Sequence, residues 1–111
     1  MLEGIYSIYF SGVTGEGFGL LNINGGKITG ADAAGALYDG EYFVTDEGIK
    51  GEIILSAHQG VRLVTGATAG ESGAEWKFPI FLPKNFSDGQ VFPITTPTGN
   101  VNVIFRKIRD A

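Results

Sequence analysis

Side chains able to do chemistry are few in this 111-residue chain, and their spacing limits what they could do. There is no cysteine, which excludes disulfides, thiol nucleophiles and cysteine zinc sites. The only imidazole is His58, at the end of an apolar alternation beside a Gln59-Gly60 turn. A hydrolytic triad needs a nucleophile, a base and an orienting group held together, and His58 reads instead as a surface residue. Gly15-Glu16-Gly17-Phe18-Gly19 has the look of a phosphate-cradling loop. That motif works by opening a helix, whereas these glycines lead into a strand, where they serve a turn and close backbone packing. Asp39, Glu41, Asp46 and Glu47 lack the spacing of a calcium-binding EF-hand, and nothing marks two of them as buried together for acid–base work. The expectation is a chain that is not an enzyme and needs neither metal nor cofactor.

Charge points to the kind of partner. The net charge is −4 and unevenly spread. Residues 1–61 carry Glu3, Glu16, Asp32, Asp39, Glu41, Asp46, Glu47 and Glu52 against Lys27 and Lys50. Residues 62–111 carry six cations against four acids. Most of these charges are expected on solvated strand faces, but the acidic set Asp39, Glu41, Asp46 and Glu47 could also meet a basic protein partner. Without a basic stripe, direct nucleic-acid binding is not expected. No apolar run reaches the length of a membrane-spanning helix. The opening MLEGIYSIYF has an early acid and no basic region, so no secretory signal is expected and a cytoplasmic location is.

The elements that must position these residues read as strands. Eighteen glycines argue against long helices and punctuate the chain at the spacing of a sandwich or barrel. Gly4 to Ser11 alternates, with Tyr6, Ile8 and Phe10 inward and Ile5, Ser7 and Tyr9 outward. Phe18 to Ile23 and Lys27 to Gly30 flank a tight turn at Asn24-Gly25-Gly26, the strongest short-range hairpin signal in the chain. The small linker ADAAGA leads to a strand from Tyr38 that turns at Thr45-Asp46-Glu47-Gly48. Lys50 to His58 follows, with Ile53, Leu55 and Ala57 inward; Val61, Leu63 and Thr65 then return. Gly66 to Gly73 is a loop. Glu75 to Phe81 alternates around Trp76, Phe78 and Ile80, with Pro79 marking an edge. Leu82 to Gly89 is the one plausible short helix, and Asn100 to Arg106 is a last strand with Val101, Val103 and Phe105 inward.

These elements predict one all-β domain over 1–111. Its economical closure is an antiparallel up-and-down barrel of about eight strands with at most one short helix; a two-sheet sandwich is the alternative. A barrel of that size is either filled by side chains or holds one small ligand. Tyr6, Ile8, Phe10, Phe18, Leu20, Trp76, Phe78, Val103 and Phe105 are the candidates to line such a cavity. A carrier of a small apolar ligand is therefore one functional reading.

The order of the motifs Glu3-Gly4-Ile5-Tyr6-Ser7-Ile8, Gly15-Glu16-Gly17, Ile28-Thr29-Gly30-Ala31-Asp32 and Tyr38-Asp39-Gly40 resembles the GrlR family over roughly residues 1–58. These are negative regulators of type III secretion genes in attaching-and-effacing enteric bacteria. The resemblance implies a calycin (lipocalin-like) barrel, a homodimer, and function by protein–protein contact that sequesters a transcriptional activator. The family's founding member uses an alternating Glu/Asp run for that contact. Here the corresponding region offers Asp46 and Glu47 as nearest counterparts, without the four-residue run, so a different protein partner is expected. The dimer is expected on the outer faces of the first and last strands, through Ile5, Tyr9 and Ile104.

Overall fold

A computed structural model of the chain describes residues 2–111 and places eight strands in one antiparallel sheet. They are β1 (Gly4–Gly12), β2 (Gly15–Asn24), β3 (Lys27–Asp32), β4 (Leu37–Thr45), β5 (Gly48–Ala57), β6 (Ala74–Pro83), β7 (Asp88–Thr96) and β8 (Gly99–Asp110). The order β6-β5-β4-β3-β2-β1-β8-β7 is a meander whose first strand pairs with its last. The sheet thereby curls into a nearly closed up-and-down barrel of the calycin type, with no helix among the described residues.

The seam lies between β6 and β7, consecutive strands that do not pair. Pro79 and Pro93 stand on these two edges, and each lacks the N–H that a ladder across the seam would use. Edge prolines also discourage pairing with another chain. The edge position expected from Pro79 is what the sheet shows.

Four readings of the sequence are corrected by the sheet. The eighth strand is β7, not Val61 to Thr65; Pro93 masks its alternation, and an edge tolerates it. Residues 61–69 fold back on themselves, with the Ala69 amide donating to the Val61 carbonyl and the Leu63 amide to the Ala67 carbonyl. Leu82 to Gly89 is not helical: β6 runs on to Pro83, and two turns follow, closed by the Phe86 and Asp88 amides on the Pro83 and Asn85 carbonyls. In the central hairpin, Asn24 pairs with Lys27, so the positive φ values fall on Gly25 (61°) and Gly26 (80°) rather than on Asn24. Finally, Phe18 and Leu20 point outward, 64% and 51% exposed. The inner face of β2 is Gly17, Gly19, Leu21 and Ile23, because Gly17 leaves the space the Phe10 ring occupies.

Two apolar clusters fill the barrel. At the lower end, beside the 24–27 and 45–48 turns, Tyr6, Ile23, Ile28, Ile49, Leu82 and Phe86 are almost fully buried. Phe86 comes from the 84–87 turn and closes that end, its ring 5.1 Å from Tyr6 and 5.3 Å, edge-on, from Phe105. At the upper end, Val61, Leu63 and Ala69 of the 58–73 loop pack on Ala36, Leu55 and Ala57.

Candidate functional site

Between the two clusters the barrel keeps a cavity of about 190 Å³. Gly17 of β2 stands on its wall, where an added Cβ would meet the Phe10 ring at 2.6 Å, and Gly19 lets β2 approach the β3 backbone. Of the residues expected to line a cavity, Ile8, Phe10, Phe78, Val103 and Phe105 do so. Tyr6 lies below it in the solid core, its hydroxyl donating to the Leu2 carbonyl. Trp76 packs in the upper cluster, and Phe18 and Leu20 are on the outside. Leu21 takes the place given to Leu20, a shift legible only once the glycines at 17 and 19 are placed on the inner face. The wall also includes Ile80, Ile94 and Val101.

The upper rim is polar, with Glu16, Asp32, Arg62, Thr65, Thr96 and Thr98. In the sequence Glu16 and Asp32 stand only within motifs read for other reasons, and none of the six is expected at a site, because the rim is assembled from strand ends and loops distant in the chain. Asp32 is fully engaged: one carboxylate oxygen accepts from the Ala34 and Ala36 amides (both 3.0 Å), and the other accepts from the Tyr38 hydroxyl. This explains how ADAAGA turns without a longer loop, since the aspartate replaces backbone partners in the turn. The threonines form a chain in which Thr65 donates to Thr98 (3.0 Å) and Thr96 donates to the Gly99 carbonyl (2.7 Å). Arg62 has no ion pair among the described residues.

Burial, followed by the hydrogen bond to Asp32 and its charge, pushes the Tyr38 hydroxyl far above the ordinary tyrosine range. A raised folded-state pKa gives stability that is complete below about pH 10, the unfolded value, and lost as pH climbs beyond it. Tyr38 is therefore expected to be the last tyrosine to ionise in an alkaline titration followed by phenolate absorbance. Tyr38→Phe should leave the earlier part of that curve unchanged and flatten the loss of stability at high pH. Asp32→Ala, which orphans two amides and the hydroxyl, should cost about 2 kcal/mol in urea unfolding.

The acidic residues expected to bind a partner do not form one patch. Asp39 and Glu41 lie on the outer face of β4, while Asp46 and Glu47 form the turn at its lower end. Glu41 takes Lys27 (2.5 Å), which holds its carboxyl below the usual range, and the opposing Glu52 takes Lys77 (3.3 Å). Such exposed pairs add little stability but spend the local charge. Asp46 and Glu47 have no ion pair among the described residues, and beside them Phe43 and Val44 are 63% and 60% exposed. A second outward row crosses four strands as Val91, Ile104, Tyr9 and Phe18, with Ile5 further along β1 on the same face.

No group of three or more His, Asp or Glu that could hold a metal occurs among the described residues, and no helix is long and apolar enough to cross a membrane. No protein-family model matches the sequence, and no curated protein is significantly similar to it.

Proposed function

We propose that this chain is a non-enzymatic bacterial regulator that works in the cytoplasm by protein–protein contact, sequestering a transcriptional activator in the way its resemblance to the GrlR family implies. The observation that carries this reading is the lower end of the β4–β5 hairpin. There the exposed Phe43 and Val44 adjoin two carboxylates, Asp46 and Glu47, that form no ion pair among the described residues. An apolar anchor rimmed by unspent negative charge fits a basic partner segment with an apolar side chain of its own. Asp39 and Glu41 contribute to the same negative field from higher on β4, Glu41 already being paired.

The row Val91, Ile104, Tyr9 and Phe18 suits a second copy of the chain. It is continuous across β7, β8, β1 and β2 and is made of apolar and aromatic side chains, the composition of homodimer interfaces. Dimerisation there would leave the β4–β5 turn free for the activator.

Native mass spectrometry of the tagged protein, isolated gently from its host, is expected to show two copies of the chain with a second protein in stoichiometric amount. The double reversal D46K/E47K should lose that second protein while keeping the dimer and the circular-dichroism spectrum. Undiminished capture by the double variant would overturn the assignment.

A further inference from the structure

We propose that the upper half of the barrel is a binding site for a small molecule built of one apolar ring, or an apolar group of that size, carrying a carboxylate. The ring would lie in the cavity and the carboxylate at Arg62. This goes beyond the regulatory reading and does not depend on it.

The size follows from the volume. A cavity of about 190 Å³ is somewhat larger than the ~150 Å³ apolar cavity that takes up benzene, and smaller than the ~300 Å³ at which pockets for drug-sized molecules begin. The floor is closed by Phe105 and, below it, the Phe86 plug, so a long acyl chain has nowhere to extend. The walls at the middle of the barrel are apolar, Leu21, Ile53 and Val103 among them, and the hydroxyl of Tyr38, which also lines the cavity, is taken up by Asp32. A polar molecule would lose its hydration there without compensation.

The head group follows from the rim. Asp32 is committed to Tyr38 and two amides, and Glu16 lies by Tyr9, whose hydroxyl it pushes above the ordinary tyrosine range. The threonine hydroxyls are engaged with one another and with the Gly99 carbonyl. Among the described residues Arg62 is the one cation on the rim and has no ion pair, so it is the donor left for a ligand. Guanidinium groups match carboxylates with two parallel hydrogen bonds.

A way in exists. Phe78, Ile80, Ile94 and Thr96 line both the cavity and the outer groove between β6 and β7. Across this seam no backbone hydrogen bond has to break, so side-chain motion alone opens the wall.

Methyl-resolved NMR titrations with toluene, benzoate, benzylammonium and palmitate test each part. Toluene and benzoate are expected to shift the methyls of Leu21, Ile53 and Val103, with benzoate binding about tenfold more tightly than benzylammonium. Arg62→Gln should erase that preference and leave toluene binding intact. Val103→Phe should fill the cavity and abolish toluene uptake without unfolding; if it does not fold, Val101→Phe on the same wall serves. Absence of methyl shifts with toluene, or shifts that survive filling, would overturn the site. A preference unchanged in Arg62→Gln would overturn the carboxylate assignment, and palmitate binding as tightly as benzoate would overturn the size class.

Discussion

Phe86→Ala is expected to destabilise the protein by about 4 kcal/mol, the largest effect of any single truncation proposed for this chain. The side chain is fully buried, although it belongs to a turn. It closes the lower end of the barrel, touching Tyr6 from β1 and Phe105 from β8. Its loss opens a cavity where several strands converge, and the neighbouring ring contacts, worth about 1 kcal/mol each, go with it. Against a typical total of roughly 5–15 kcal/mol, that leaves a marginal fold. Urea unfolding is the measurement, with Phe18→Ala as comparison. Phe18 is on the outer face and its truncation should change stability by under about 1 kcal/mol. If the two variants unfold alike, Phe86 does not plug the barrel.

Gly40→Ala is expected to cost about 2 kcal/mol, reversing the sign that adding a methyl to a glycine often has. Gly40 sits on the inner face of β4 between Ile28 of β3 and Ile53 of β5. A Cβ there would stand 2.4 Å from the Glu52 carbonyl oxygen and 2.9 Å from the Ile53 side chain. The first contact is with backbone, so the β4–β5 ladder itself has to move. Gly70→Ala is the matched control, because nothing lies within 4 Å of the added atom. The control should be neutral or slightly stabilising through the unfolded chain. Equal midpoints for the two variants in thermal melting would show that β4 and β5 have more slack than this geometry allows.

The two predictions bear on the same question, why glycine and aromatic positions matter beyond their local conformation. The Tyr38-Asp39-Gly40 element, quoted above as one piece of a family resemblance, acquires a physical meaning in the barrel. Tyr38 donates to Asp32 and Gly40 lets two strands approach, while Asp39 faces outward on the strand between them.

The sequence alone determined the strand class, most of the turns and several inner faces. Tyr6, Ile8, Ile53, Leu55, Val103 and Phe105 are buried as their alternation requires, and Pro79 marks an edge strand. These are local properties: a period of two and a missing N–H act within a few residues. What only the tertiary structure decided is non-local. Period two defines two faces of β2 but does not say which is inner when one face is Gly17 and Gly19, and the Phe10 ring from the neighbouring strand settles it. Whether Phe86 plugs a barrel or sits on a helix depends on Tyr6 and Phe105, from opposite ends of the chain. The polar rim, with Asp32 from the end of β3 and Arg62 and Thr98 from two loops, has no periodicity to betray it. Nor has the seam, since Pro79 and Pro93 matter to each other only once β1 has paired with β8 and brought the two edges face to face.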